Sequence, residues 1–521
     1  MDGERVMEKR PEVYATGSLS DGKKYLLLAM LTSATVQSYL VWQYYCISSD
    51  GVRYIEAARE FYSGDILSGL GSLYPPGYSL MIAAAYPLVR DWELTGQLLS
   101  LAFGVGLLFP LFFLLRDVFD DRVAGIACLL ASLSPFLARY AAHVRTESSY
   151  LFFLTLALML LVQGIYKKRT SRFFQGGLVA GLAYLLRPEA IGLLIIIPGF
   201  LALRRFAQKE RNWAVVGKYA ALLIAGFSIF ALPYIVYLSI DTGKWGAISR
   251  KAGITLAVNL GKAGVLETDG SGDNPGVASP EFFDLIRRHP LQYATKVVMD
   301  LPLAIGTYFE VMHFSYVPFL LIGLFLSVRG QFWHRREFIL LSFVLFYLIG
   351  FSMILVRRRY SLQFVPVSLG WCAIGVLWVW EYCRESLNAR TSKIILTSIG
   401  VFFLAATLPK TLSPISPEKA YVRDAGRYLG KLNGNGVLKI AVLDNRIHFY
   451  ADAEAVYLFD VKESALRDHL EEQKARYLAV DTKSWRRHFP NASRRPENFG
   501  LFLDKEFVGT RNDRLLVFKV M

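Results

Sequence analysis

Hydrophobic residues along this chain come in long unbroken runs, not in the short alternations that mark half-buried strands. Stretches free of Asp, Glu, Lys and Arg cover Tyr25–Ser49, Leu94–Leu115, Val123–Ala138, Ser148–Tyr166, Phe173–Leu186, Ala190–Leu203, Tyr219–Ile240, Val311–Val328, Phe338–Val356, Tyr360–Trp380 and Ile394–Pro409. A helix needs about 17–25 apolar residues to cross a bilayer, and most of these runs qualify. Two short ones flank Arg187-Pro188-Glu189 and predict a tight helical pair with snorkelling basic ends. Leu301–Phe309 either lengthens a neighbouring span or forms its own. The expected fold is an all-α polytopic membrane bundle of about 11–13 transmembrane helices.

Beyond the last run the pattern changes. Val437–Leu443, Tyr477–Val480 and Leu515–Val520 are strand-like, and Ser464–Arg476 has a helical period, which predicts a small α/β domain. The boundaries read as a polar segment 1–24, a membrane domain 25–410 with long loops at 48–93 and 241–300, and a C-terminal domain 411–521. Tyr25–Ser49 is too long for a signal-peptide core and is expected to be an uncleaved first span.

Composition agrees: of 521 residues 54% are hydrophobic and 19% charged, against about a quarter charged in soluble domains. A net charge of +15 would suggest nucleic acid in a soluble chain. Here most basic clusters sit at the ends of apolar runs, so nucleic acid is excluded as an expected partner and the clusters become topology signals. With Lys23 and Lys24 in the cytoplasm, alternate counting also puts Arg116, Arg122, Lys167-Lys168-Arg169, Arg204, Arg205, Arg335, Arg336, Arg384 and Arg390 inside. Both long loops and the C-terminal domain then lie outside a cytoplasmic (inner) membrane. Cys46, Cys128, Cys372 and Cys383 lie in or beside apolar runs, which predicts buried thiols and no disulfide framework.

Arg139, Arg145 and the triplet Arg357-Arg358-Arg359 oppose this trend at outer ends of spans, where a cation is expensive unless an anion meets it. Arginine binds phosphate bidentately, and an anchor for anionic headgroups is the plainer reading. Asp50 stands just outside the first span with Arg53 one helical turn on, and Ile55–Glu60 predicts a helix lying on the surface. That pair also fits a solvated acid with its counter-ion. Glu147 heads a span on the same side, where the helix dipole alone would favour it. Glu310 and His313 fall near another outer end. No HxxxH or HExxH pattern supports a metal, so no cofactor is assigned. Asp269, Asp273 and Asn274 lack a full calcium-loop spacing and read as a flexible loop.

The order Asp50, Arg53-Tyr54, Ala58-Arg59-Glu60, Pro75-Pro76, Arg145, Glu147, Arg359-Tyr360, Leu362 and Pro366 resembles the GT-C superfamily of membrane glycosyltransferases. Within it, the pattern is nearest to the dolichyl-phosphate-mannose protein mannosyltransferases and the lipid A aminoarabinose transferases. The resemblance spans residues 20 to 410 and is most specific from Asp50 to Glu60. It implies inverting transfer of a hexose or pentose from a polyprenyl-phosphate donor to a lipid, glycan or protein acceptor outside the membrane. Asp50 would be the base and Glu147 the second acid. Arg53, Arg145, Arg357, Arg358 and Arg359 would hold phosphate, and Tyr54, Tyr74, His143, Glu310, His313 and Tyr360 would line the substrate site. Tyr74 departs from the aminoarabinose transferase pattern, which has a lysine before the Pro-Pro pair. A transporter or flippase for a lipid-linked sugar is the alternative. Such proteins usually carry mid-membrane ionisable groups and internal repeats, and neither is evident here.

Overall fold

A computed structural model of the protein describes residues 19–209, 212–243, 245, 248–250, 287, 290–328, 335–433, 438–510 and 513–521. Asp269, Asp273 and Asn274 lie outside the described residues. The membrane part begins with α1 (Leu19–Trp42), followed by α2 (Ser49–Ser63), α3 (Ile66–Leu70) and α4 (Gly77–Val89) in the first long loop. The bundle continues with α5 (Trp92–Gly106), α6 (Leu108–Val118), α7 (Asp121–Leu133), α8 (Pro135–Ala141), α9 (Glu147–Tyr166), α10 (Ser171–Tyr184), α11 (Leu193–Ala207) and α12 (Ala214–Thr242). It closes with α13 (Pro290–Met312), α14 (Val317–Val328), α15 (Phe338–Ile354), the single turn α16 (Arg358–Ser361), α17 (Phe364–Ser386) and α18 (Ala389–Thr411).

Among the described residues seven helical segments are long and apolar enough to cross a membrane, with α5 and α6 taken as one and α11 taken from Pro188, and there are eight if α13 and α14, bent by 115°, form one span. The remaining apolar runs give shorter helices. Val123–Ala138 breaks at Ser134-Pro135 into α7 and α8, because proline cannot continue the hydrogen-bond ladder. The run from Phe173 becomes α10, with 14 residues, and the run from Phe338 becomes α15, with 17. α18 is apolar yet has only 11% of its apolar stretch buried inside the protein, with Val401 and Phe402 largely exposed, as a lipid-facing span is. This is an integral membrane protein.

Bare glycines let the helices approach closely. An added Cβ at Gly323 of α14 would stand 1.9 Å from the Trp371 carbonyl of α17, and one at Gly177 of α10 would stand 2.2 Å from the Leu223 carbonyl of α12. Small residues at such crossings are what drives association where lipid is as apolar as leucine.

The C-terminal domain adds α19 (Ala420–Leu432), β1 (Lys439–Val442), α20 (Asn445–Ala451), β2 (Glu454–Tyr457), α21 (Leu466–Glu472), β3 (Tyr477–Asp481), α22 (Thr482–His488), β4 (Leu501–Val508) and β5 (Arg514–Val520). Its five-stranded sheet has the order β2-β1-β3-β5-β4, parallel across the first three and antiparallel beyond. Alternate side chains serve two cores, as the pleat requires. Ile440 and Val442 face α19 and α20, while Ala441 faces the side of Trp485 and Leu470. Cys46, from the membrane part, is buried in the first of these cores, and all four cysteines are free and buried.

Candidate active site

The chain leaves α1 and is pinned at once. The backbone of Tyr45 donates to Ile415 (3.0 Å), and that of Ile415 donates to Gln43 (2.9 Å), which joins the exits of the first and last spans. Ser48 caps α2, its Oγ accepting from the Gly51 amide at 3.1 Å. Asp50 therefore sits in the first turn of α2, where the helix dipole favours a carboxylate. The helix does not lie on a surface as its sequence suggests. Val52, Tyr54, Ile55, Ala57 and Ala58 are buried, because the C-terminal domain covers the side that the membrane part leaves open.

Each Asp50 oxygen has a donor. Arg359 Nη1 donates to Oδ2 at 2.9 Å, and Tyr74 Oη donates to Oδ1 at 2.5 Å. Arg145 Nη2 stands 4.0 Å from Oδ2 while its Nε donates to Ser48 Oγ at 3.1 Å. Burial and then Asp50 push the Tyr74 hydroxyl up, so it remains a donor. Tyr54, buried beneath, packs its ring against that of Tyr74, tilted by 38° with centroids 4.7 Å apart.

Behind this lies a second cluster. Glu147, at the start of α9 and buried, accepts from Arg187 Nη1 at 3.3 Å. Arg187 also donates to both oxygens of Glu189, at 2.9 and 3.4 Å. Its guanidinium lies 5.4 Å from the Tyr150 ring and 5.0 Å from that of Tyr360. Burial alone would lower the Arg187 pKa, but Glu189 and Glu147 outweigh it and hold the guanidinium charged. Burial likewise works against Arg145, and Glu147 with Asp50 reverses it. Asp50, Glu147 and Glu189 thus face Arg145, Arg187 and Arg359, three carboxylates against three guanidiniums.

Residues 74–237 match the family model of dolichyl-phosphate-mannose-protein mannosyltransferases. No curated protein matches the chain. The structure of ArnT from Cupriavidus metallidurans bound to undecaprenyl phosphate is similar, with a TM-score of 0.60 at 13% identity over 96% of this chain and 98% of that one. The Archaeoglobus fulgidus oligosaccharyltransferase, tethered with an acceptor peptide containing the NVT sequon, has a TM-score of 0.56 at 13% identity over 95% of this chain and 74% of that one. The chain has a GT-C fold. The family match over residues 74–237 and the fold are what the chain shares with GT-C membrane glycosyltransferases.

Within this GT-C framework the outlying arginines part company. Arg139 donates to the Ser413 carbonyl, to Ser413 Oγ at 2.6 Å and to the Pro414 carbonyl at 3.3 Å, which anchors the exit of α18. Arg358 is paired with Glu310, Nε to Oε2 at 2.8 Å, and is mostly exposed. The side chains of Arg53 and Arg357 make no hydrogen bond or ion pair among the described residues. Arg53 lies close enough to Tyr74 to act on it electrostatically. His313 turns inward to Ser315 Oγ at 2.8 Å, which meets Thr407 at 2.9 Å, so it is part of the packing at the α13–α14 bend. His143 Nδ1 lies 2.7 Å from the Arg139 carbonyl, with its ring edge-on to Tyr44. Among the described residues no three His, Cys, Asp or Glu side chains group to hold a metal.

Glu189 and Arg187 received no role from sequence. The signal was available: two charges beside Pro188 between apolar runs are expensive unless they serve each other. At the other end of α9, Lys167 meets Asp117 at 2.7 Å and the Arg336 guanidinium caps the Asp117 carbonyl at 3.2 Å. The basic residues assigned to one side by counting are thus at the end of the bundle away from Asp50.

Proposed function

We propose that the chain transfers a sugar, with inversion, from a polyprenyl-phosphate-linked donor to an acceptor hydroxyl on a lipid, glycan or protein, with Asp50 as the general base. The carrying observation is the Asp50 carboxylate at a helix N-terminus, held by Arg359 and Tyr74 and flanked by Arg145 and Arg53. The acceptor oxygen attacks the anomeric carbon and gives its proton to Asp50. The bond from that carbon to the phosphate oxygen breaks, and the lipid phosphate departs with the electron pair. A positioned base contributes about 10²–10⁴-fold, and fixed guanidiniums stabilise the charge that grows on the leaving group.

Arg53 and Arg357 are the phosphate-binding residues, because Arg358 and Arg145 already have acidic neighbours. The acceptor hydroxyl takes the place of Tyr74 on Asp50. One neutral O–H donor replaces another there, whereas displacing Arg359 would break a largely buried ion pair at a cost of about 3–5 kcal/mol. Glu147, locked to Arg187, orients the base's surroundings. The site end of the bundle and the C-terminal domain face the outside of the cytoplasmic membrane, with the N-terminus inside. The ArnT relative bound to undecaprenyl phosphate and the oligosaccharyltransferase relative tethered to an acceptor peptide support a lipid-borne donor and a separate acceptor.

The test is transfer of labelled sugar from synthetic polyprenyl-phosphate donors in proteoliposomes, parent against Asp50→Asn. Loss of about 10²-fold or more with donor binding intact is expected. A parent that consumes no donor of a broad panel, yet moves lipid-linked sugar across the bilayer, overturns the proposal in favour of a flippase.

A further inference from the structure

The three residues preceding Asp50 are each held by a different group. The Ile47 amide donates to Tyr450 Oη at 2.7 Å, Ser48 Oγ accepts from Arg145, and the Ser49 carbonyl accepts from Asn445 Nδ2 at 3.0 Å. Two of the three holders belong to α20 of the C-terminal domain. Farther along, His448 Nε2 stands 3.1 Å from Glu56 Oε1, and Asp452, just past the end of α20, lies 3.4 Å from Arg59 Nη2. Residues 445, 448 and 452 share one side of α20, and 49, 56 and 59 share one side of α2, as helical spacing requires. The opposite side of α2 presents Asp50 and Tyr54 to the membrane part.

These polar, specific contacts sit beside apolar ones, in which Phe449 and Tyr450 pack against the membrane part. Asn445 is buried. Tyr450 Oη also donates to Glu93 Oε1 at 2.9 Å, tying α20 to the start of α5 as well. Beneath, Ile447 and Ala451 are buried against the sheet, so α20 is a fixed support.

We propose that α20 is a seat for the helix that carries the base, with Asn445, His448 and Tyr450 as positioning residues that set where the Asp50 carboxylate stands. The C-terminal domain then contributes to turnover through α2 without touching the reacting atoms. This rests on Asp50 being the base. Positional tolerance is tight: a misplacement of about 1 Å costs about 10²-fold in rate.

Asn445→Ala and Tyr450→Phe are compared with the parent for kcat, acceptor KM, donor affinity and hydrogen exchange in the first turn of α2. Glu463→Ala serves as control; that side chain is bonded to the Asn491 and Ala492 amides, away from α20. The expected result is a fall of about 10–100-fold in kcat for both seat variants. Donor affinity stays within about twofold, and exchange in that turn speeds up about tenfold. His448→Gln, which keeps a donor for Glu56, retains activity that His448→Ala loses. Equal kcat in folded seat variants and parent, or an equal loss in the control, overturns the seat. If the parent transfers no sugar, the functional reading fails instead. Exchange then decides the seat alone, and unchanged protection of the first turn of α2 in both seat variants refutes it.

Discussion

Replacing Arg187 with methionine keeps much of the side chain's length and removes its charge from between two carboxylates. In the parent the guanidinium spans Glu147 at 3.3 Å and Glu189 at 2.9 Å, with side-chain exposures of 10%, 5% and 17% for Arg187, Glu147 and Glu189. Removing one partner from a buried pair costs about 3–5 kcal/mol, because an uncompensated charge stays behind. Here two carboxylates lose one cation, and the packing against Tyr150 and Tyr360 is weakened as well. A loss of about 4 kcal/mol is expected from denaturant titration in detergent micelles. The triple variant E147Q/R187M/E189Q has no stranded charge and should recover to within about 1 kcal/mol of the parent, as replaced ionic triads often do. A loss below about 1 kcal/mol for R187M, or a triple variant no more stable than R187M, would falsify the idea that the cluster is a dry, mutually dependent unit.

R53Q and R357Q should each weaken donor binding by about tenfold or more, from about 1.5–3 kcal/mol per charged hydrogen bond; titration with a non-transferable donor analogue that shows parent-like affinity would remove them from the phosphate site. In Y74F the hydroxyl that competes with the acceptor is gone, so acceptor KM should fall up to about fivefold, or about 1 kcal/mol, with kcat retained; a tenfold drop in kcat at unchanged KM would instead make Tyr74 part of the machinery. Burial, and then Arg145, push the His143 imidazole down to about 3. The unfolded chain, titrating near pH 6.5, therefore binds the extra proton between those values, and stability falls as pH drops through that window. Denaturant titrations at pH 7.5 and 5 should show H143Q losing less on acidification than the parent, by at most about 1.4 kcal/mol per pH unit; equal acid losses would count against a buried neutral imidazole.

The bundle was legible because membrane spans are written in one dimension: a run without charges is a helix whatever its neighbours are. What the run lengths hid was where helices break. Both breaks carry a proline, Pro135 at the start of α8 and Pro318 in the first turn of α14, but the left-handed backbone of His313 (φ 69°), which helps turn the chain through 115°, has no signal in the run. In the C-terminal domain β1, β3 and β5 were readable as apolar runs, since they are central or nearly so. The edge strand β4 was not, because Asp504-Lys505-Glu506 interrupts it at a register shift between Leu503 and Lys505. Arg145 and Arg359 stand out by charge in the wrong place for topology, and Asp50 as an acid just outside the first span with Arg53 one turn on. The same signal could not separate Arg145 from Arg139 or Arg359 from Arg358, whose partners lie 274 and 48 residues away in the chain. Tyr74 became Asp50's donor across 24 residues, and Asn445 reached Ser49 across 396. Contacts of that range have no periodicity from which to be read.

The ring around Asp50 is neutral, with three carboxylates against three guanidiniums, and Arg358 is neutralised by Glu310. Arg53 and Arg357 leave a surplus of two positive charges beside it. A polyprenyl-phosphate sugar is a phosphodiester with a single negative charge, whereas the lipid monophosphate that departs carries about −1.5 to −2 at neutral pH, by analogy with other phosphomonoesters. A surplus of two matches the product and the transition state leading to it better than it matches the donor. Only interactions that strengthen on the way to the transition state raise kcat, and an arrangement with more positive charge than its donor neutralises has that property. The same excess holds the lipid phosphate after the sugar has gone. On this reading release of the carrier, rather than bond breaking, limits turnover, and raising ionic strength should speed the steady state while leaving a single turnover unchanged or slower.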